Sequence, residues 1–208
     1  MKSNNSIKFV YFDIGGVVIR DFSKTNKWDE MLTDLGIDDS VREKFDRLFD
    51  DFEPKLNEGE AVDSFVALAK EKLSVKFPEE YSMLIDFVDR FELNESIYPV
   101  IKQAQQKYRT GLLTNMYPDL LDAIYKKGLM PDIDWEITID SSLIGMSKPN
   151  LEIYEYAQEK VGVKPGDILF IENSSKNIEG AKEAGWQTLQ YDPSNAEGSN
   201  EKLRKILD

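Results

Sequence analysis

Asp13 follows the apolar run Lys8-Phe9-Val10-Tyr11-Phe12 and stands two residues ahead of Gly15-Gly16. β-Branched and aromatic residues favour a strand, and paired glycines let the backbone turn sharply or approach a ligand. A carboxylate at the C-terminal end of a strand sits where open α/β sheets bind ligands. Three later segments have the same character. Thr114-Asn115 ends the run Thr110-Gly111-Leu112-Leu113, and Glu172-Asn173 follows the apolar stretch 167–171. Between them, Ser147-Lys148-Pro149-Asn150 precedes a helical pattern. Together they supply a carboxylate nucleophile, hydroxyl and amide donors, a cation and a second acid. Phosphoryl transfer needs such a set, because it depends on positioning and charge neutralisation. Taken singly, each group also has an ordinary structural explanation. Asp13 could open a turn, the Thr114 hydroxyl could satisfy one, Lys148 could be solvated, and Glu172 could cap the next helix.

The missing residue types narrow the chemistry. The 208 residues include no histidine and no cysteine. A Ser-His-Asp triad, a Cys-His pair, a disulfide framework and histidine-ligated zinc are all excluded. Acid–base work falls to Asp, Glu, Lys or Tyr, and any metal takes oxygen ligands, which favours Mg²⁺. The formal charge of −13, from 39 acids against 26 bases, argues against a nucleic-acid partner. No apolar run reaches transmembrane length, and MKSNNSIK lacks the apolar stretch of a signal peptide. The expectation is a cytoplasmic protein without a membrane partner.

Positioning these residues requires a sheet. Segments 8–13, 110–114, 135–139, 167–171 and 187–191 read as strands. Helical patterns at 97–108, 118–127, 150–161, 175–184 and 197–207 alternate with them, the second opening on Pro118. The alternation predicts an α/β fold, a mostly parallel sheet with helices on both faces. From about 24 to 92 the spacing is helical throughout, with breaks at Gly36, near Asn57-Glu58-Gly59 and at Phe77-Pro78. Four helices without a strand predict a helical bundle inserted after the first strand.

The segments FDIGGVV, LLTN, SKPNLEIY and ILFIENSSKNIEGAKEAG resemble, in order and spacing, the motifs of the haloacid dehalogenase (HAD) superfamily with a helical cap after strand one. The nearest flavour is that of small sugar-phosphate phosphatases of the glucose-1-phosphate type. The resemblance implies a Rossmann-like core at 1–18 and 95–208 and a helical cap at 19–94. It implies that Asp13 attacks phosphorus, that Thr114 binds a phosphoryl oxygen with Asn115 assisting, and that Lys148 neutralises charge. Gly15 and Gly16 would approach the substrate. Mg²⁺ would be held by Asp13, the Gly15 carbonyl, Glu172 and Asn173. Tyr154 reads as helix packing, and the Asn57-Glu58-Gly59 loop as a specificity element. The implied activity is hydrolysis of a small phosphorylated metabolite, with sugar phosphates among the candidates.

Two positions depart from the family pattern. Most phosphatases of the superfamily carry aspartate two residues after the nucleophile, as acid and then base, and here Gly15 stands there. Loss of a general acid costs about 10²- to 10⁴-fold in rate. The usual acidic pair at the metal is Glu172-Asn173, which implies a higher Mg²⁺ requirement that Asn173→Asp would lower. A catalytically weak or inactive binding or regulatory protein is therefore an alternative. A carbon–halogen hydrolase is another, although Val17, Glu172 and Asn177 depart from that pattern. A phosphonate hydrolase would need a cap lysine, with Lys24, Lys27, Lys44 and Lys55 as candidates.

Overall fold

The computed structural model describes residues 7–208. The first six residues of the segment read above as lacking a signal peptide lie outside that range. Five strands form one parallel sheet: β1 (Phe9–Phe12), β4 (Arg109–Thr114), β5 (Ile137–Asp140), β6 (Ile168–Glu172) and β7 (Gln187–Gln190). Their order is β5-β4-β1-β6-β7. The register pairs Phe12 of β1 with Leu112 on one side and Ile171 on the other. All four residues of β1 are buried, as befits a central strand covered on both faces.

Alternation along β1 divides the core. Phe9 and Tyr11 face α8 (Leu151–Val161) and α9 (Ser175–Glu183), in a cluster with Tyr154, Phe170 and Trp186. Tyr154 packs edge-on against Trp186 and donates its hydroxyl to the Asn177 carbonyl, so its expected packing role holds. Val10 and Phe12 face the opposite layer, which holds α5 (Tyr98–Gln105) and α10 (Ala196–Leu207). The fold is thus an α/β, Rossmann-like three-layer structure.

Four helices follow the first strand, as the periodicity predicts: α1 (Lys27–Asp34), α2 (Asp39–Asn57), α3 (Val62–Leu73) and α4 (Met83–Arg90). Aromatic rings hold them together. Phe65 meets Phe45 and Phe49 edge to face, with centroids 5.2 and 5.0 Å apart. Burying each such side chain contributes about 1.5–3 kcal/mol. Two short strands, β2 (Ile19–Arg20) and β3 (Glu92–Leu93), pair antiparallel where the chain enters and leaves this bundle. Two residues are too few to display a period, so the sequence did not reveal them. Another difference lies at α6 (Leu120–Lys126), which begins after Pro118 rather than on it. Asp119 is left-handed at φ 65, a conformation an aspartate tolerates, so the chain turns there before the helix starts. A short helix, α7 (Ser141–Ile144), follows β5. Among the described residues, no helix is long and apolar enough to cross a membrane.

Candidate active site

The chain fills one side of the sheet through β4 and β5, then returns to β6 beside β1. A crevice opens beyond the strand C-termini at such a reversal. Asp13 follows β1, and Glu172 ends β6. A cleft of about 1240 Å³ lies there, with Asp13, Lys148 and Glu172 on its sheet side and Trp28, Phe49 and Phe87 of the helical bundle across from them. The loop after β1 is tightly wound. The Ile14 carbonyl accepts the N–H groups of Val17, Val18 and Ile19, and Asp13 donates its own N–H to the Ile171 carbonyl.

Lys148 is the centre of the polar cluster. It is only 4 % exposed, and its ammonium donates to Asp13 Oδ1 at 2.9 Å, Glu172 Oε2 at 2.6 Å and the Leu113 carbonyl at 3.1 Å. Three donors meet three acceptors, so the buried cation is fully paired. Burial opposes its charge, but Asp13 and Glu172 outweigh burial and hold its pKa above the ordinary value. Asp13 is 7 % exposed. Burial, reinforced by Glu172, pushes its carboxyl up to about 7 against the pull of Lys148. Two buried carboxylates sharing one cation explain the direction.

The other predicted residues divide into groups. Asn115 lines the cleft, and its amide holds the lysine backbone. Its Nδ2 donates to the Lys148 carbonyl at 2.9 Å, and its Oδ1 accepts the Lys148 N–H at 2.8 Å. The side chain thus positions Lys148, and the second N–H of its amide remains for the expected phosphate contact. Thr114 is buried at the end of β4, behind the residues that line the cleft, and its hydroxyl makes only a long 3.4 Å contact to the Asn115 carbonyl. Gly15 and Asn173 line the cleft. Gly16, at φ +70, lies under the Asn173 amide, and a side chain there would collide with it. Glycine is needed at that position on both counts.

The donors suit Mg²⁺ in kind, being all oxygen. Among the described residues no three Asp, Glu, His or Cys side chains gather as a metal cluster. Glu172 is fully buried, with Oε1 accepting the N–H groups of Asn173 and Ser174 and Oε2 held by Lys148. Asp13 is thus the least encumbered carboxylate of the predicted set. Mg²⁺ tolerates such a sparse set because it keeps several waters and takes substrate phosphate oxygens as ligands.

The structure adds Asp21, Glu53 and its partner Tyr117, which sequence reasoning missed. Asp21 follows β2, lines the cleft, and accepts the Ser23 N–H at 2.8 Å. Its Oδ2 occupies the room a side chain on Gly15 would need. Burial raises its pKa, against the hydrogen bonds from Ser23. Glu53 of α2 also lines the cleft and accepts a 3.0 Å hydrogen bond from the hydroxyl of Tyr117, beyond β4. The available signal was the spacing of Asp46, Asp50 and Glu53 along one face of α2. A solvated face and a cleft-lining face have the same pattern, so the spacing alone does not separate them.

Comparisons with known proteins give one family. The model of the haloacid dehalogenase-like hydrolases matches residues 7–185. The (S)-2-haloacid dehalogenase of Xanthobacter autotrophicus is 29 % identical over 83 residues, 39 % of this chain and 32 % of that protein. Bifunctional epoxide hydrolase 2 of Rattus norvegicus is 23 % identical over 122 residues, 54 % of this chain and 22 % of that protein. The matches thus span about a third and about a fifth of those relatives' lengths. Among solved structures, a HAD family enzyme of Bacteroides thetaiotaomicron in complex with magnesium and inorganic phosphate has a TM-score of 0.70 at 21 % identity. The match covers 89 % of this chain and 94 % of that one. A HAD-like family hydrolase of Porphyromonas gingivalis has a TM-score of 0.72 at 24 % identity, covering 96 % and 98 %. At these identities the structural likeness carries the fold.

Proposed function

The chain belongs to the haloacid dehalogenase-like hydrolase family, and on that premise we propose that it is a Mg²⁺-dependent phosphomonoester hydrolase acting on a small phosphorylated metabolite, with sugar phosphates among the candidates. The observation that carries this reading is the buried Asp13–Lys148–Glu172 cluster at the floor of the cleft. Asp13 attacks phosphorus with the oxygen that Lys148 does not hold. The bond from phosphorus to the leaving oxygen breaks, and an aspartyl-phosphate forms. Water then attacks phosphorus, releasing inorganic phosphate and restoring the carboxylate. Lys148 offsets charge on Asp13 and on the phosphoryl oxygens. Thr114 lies behind the cleft lining, so its hydroxyl reaches a phosphoryl oxygen only if the cleft wall at Asn115 shifts when substrate binds.

Asp13, the Gly15 carbonyl, Glu172 and Asn173 would hold Mg²⁺; bound there, the ion would neutralise phosphate charge. Asp21 stands in for the carboxylate that Gly15 lacks. It gives a proton to the leaving oxygen and later takes one from the attacking water. Residues 19–94 act as the cap over a core of 1–18 and 95–208, excluding water during the reaction.

The test is phosphate release from sugar phosphates, nucleotides and an activated aryl phosphate, with and without Mg²⁺, beside Asp13→Asn. Mg²⁺-dependent release that the variant loses is the expected result. No release from folded protein would contradict the reading and favour a binding protein. The likeness to the Xanthobacter dehalogenase supports a second reading, displacement of halide from a 2-haloacid by Asp13. Halide release from such an acid, with no phosphate release from the panel, would establish it instead.

A further inference from the structure

The cleft has a second charged wall, opposite the nucleophile. One face of α2 lines it with Asp46, Asp50, Glu53 and Asn57, spaced by one or two helical turns. Trp28 and Phe49 lie among them. Asp46 is occupied, accepting the Trp28 indole N–H at 2.8 Å. Glu53 is the carboxylate with a fixed position. Its Oε1 accepts the Tyr117 hydroxyl at 3.0 Å. Tyr117 is buried three residues beyond Thr114, so the bond ties the α2 carboxylate to the strand end beside Asp13. Oε2 is left for a ligand.

The cations along the cleft are mostly committed. Lys148 is shared between Asp13 and Glu172, and Lys24 pairs with Asp192 at 3.1 Å. Lys176, on an exposed position of α9, also lines the cleft and opposes the charge of Glu53. Burial pushes the Glu53 pKa up, and the neighbouring charge of Asp50 adds to it. A leaving group with a second anionic substituent would meet these carboxylates. A hydroxyl would satisfy one lone pair and leave the repulsion unchanged. A cation would relieve it, and the rings of Trp28 and Phe49 offer it further attraction.

We propose that Glu53 is a specificity-determining residue, and that its free oxygen binds a protonated amine on the leaving group of the phosphomonoester, as in an amino-sugar or amino-alcohol phosphate. This rests on the phosphomonoester reading above.

The test compares kcat/KM of the whole 208-residue chain for glucosamine 6-phosphate, glucose 6-phosphate and 6-phosphogluconate. These share a phosphoryl group and differ in a positive, neutral or negative substituent. The expected order is amine, then neutral, then anion, with the amine favoured about tenfold over the neutral ester, the effect of one charge-assisted hydrogen bond. Glu53→Gln should bring the amine-to-neutral ratio close to one, mainly through KM. Tyr117→Phe, which frees the carboxylate without removing it, should reduce the ratio partway. Melting curves establish that each variant is folded. A wild-type ratio near one, a preference for the anion, or a preference that survives Glu53→Gln overturns the proposal while the phosphatase reading stands. Failure of all three esters and of the aryl phosphate overturns both.

Discussion

Asp13 has a carboxyl pushed up to about 7, and that shift is a statement about stability. Its ordinary value is 3.8. Between the two values the folded protein holds a proton that the unfolded chain has lost. Stability contributed by this group therefore falls as pH rises through that window, and the full cost stands above about 7. Asp13→Asn is neutral in both states and escapes the cost. It should be more stable than the parent at pH 8, by up to about 4 kcal/mol, with the difference vanishing below the ordinary carboxylate value. Thermal melts across pH check this; an equal gain at every pH would contradict it. Lys148→Met should have the opposite sign. It leaves two buried carboxylates without their cation and should cost about 3–5 kcal/mol at neutral pH, partly regained in acid, as urea denaturation reads. At this scale Asp13, Lys148 and Glu172 were legible because each sits where a strand ends or a helix begins. Asp21 and Glu53 were not, because which way an acid faces depends on packing. The use of the Asn115 amide to clamp the Lys148 backbone was hidden for the same reason.

Elements place these residues through contacts a sequence does not display. Gly180 in α9 is an example. A side chain there would collide with the Pro149 carbonyl and come within 2.9 Å of the Tyr154 ring. Alanine favours a helix over glycine by about 1 kcal/mol. Overpacking costs about 1–3 kcal/mol, and here the obstacle is backbone, so packing wins. Gly180→Ala should lower the melting temperature, and it should lower kcat as well, because Pro149 adjoins Lys148. A higher melting temperature would show that α9 can shift freely. The five sheet strands and the long helices were readable from apolar period and from the glycines that end α8 and α9. The β2–β3 ribbon lacked the length for a period. The late start of α6 rests on Asp119, whose left-handed backbone no hydrophobic pattern records.

The whole molecule carries a net charge of −13, and its proposed substrate is an anion. Long-range repulsion should slow their encounter at low salt, and counterions should relieve it beyond a Debye length of about 10 Å at 0.1 M. Initial rates at low substrate concentration should therefore rise, roughly twofold, between dilute buffer and 0.15 M salt. A steady fall instead would mean that the basic groups near the cleft dominate the field. The layered fold follows from the alternation of strands and helices, and from the run of helices after β1. The cleft between the two parts was not readable, since its α2 wall looks like any solvated helix face. The central claim is that phosphorus is transferred to Asp13. The most direct measurement is mass spectrometry of protein quenched in acid during turnover of an activated aryl phosphate. A single phosphoryl adduct on the peptide containing Asp13, absent from Asp13→Asn, is the predicted result. Phosphate release with no adduct there, or with the adduct on another residue, would contradict it.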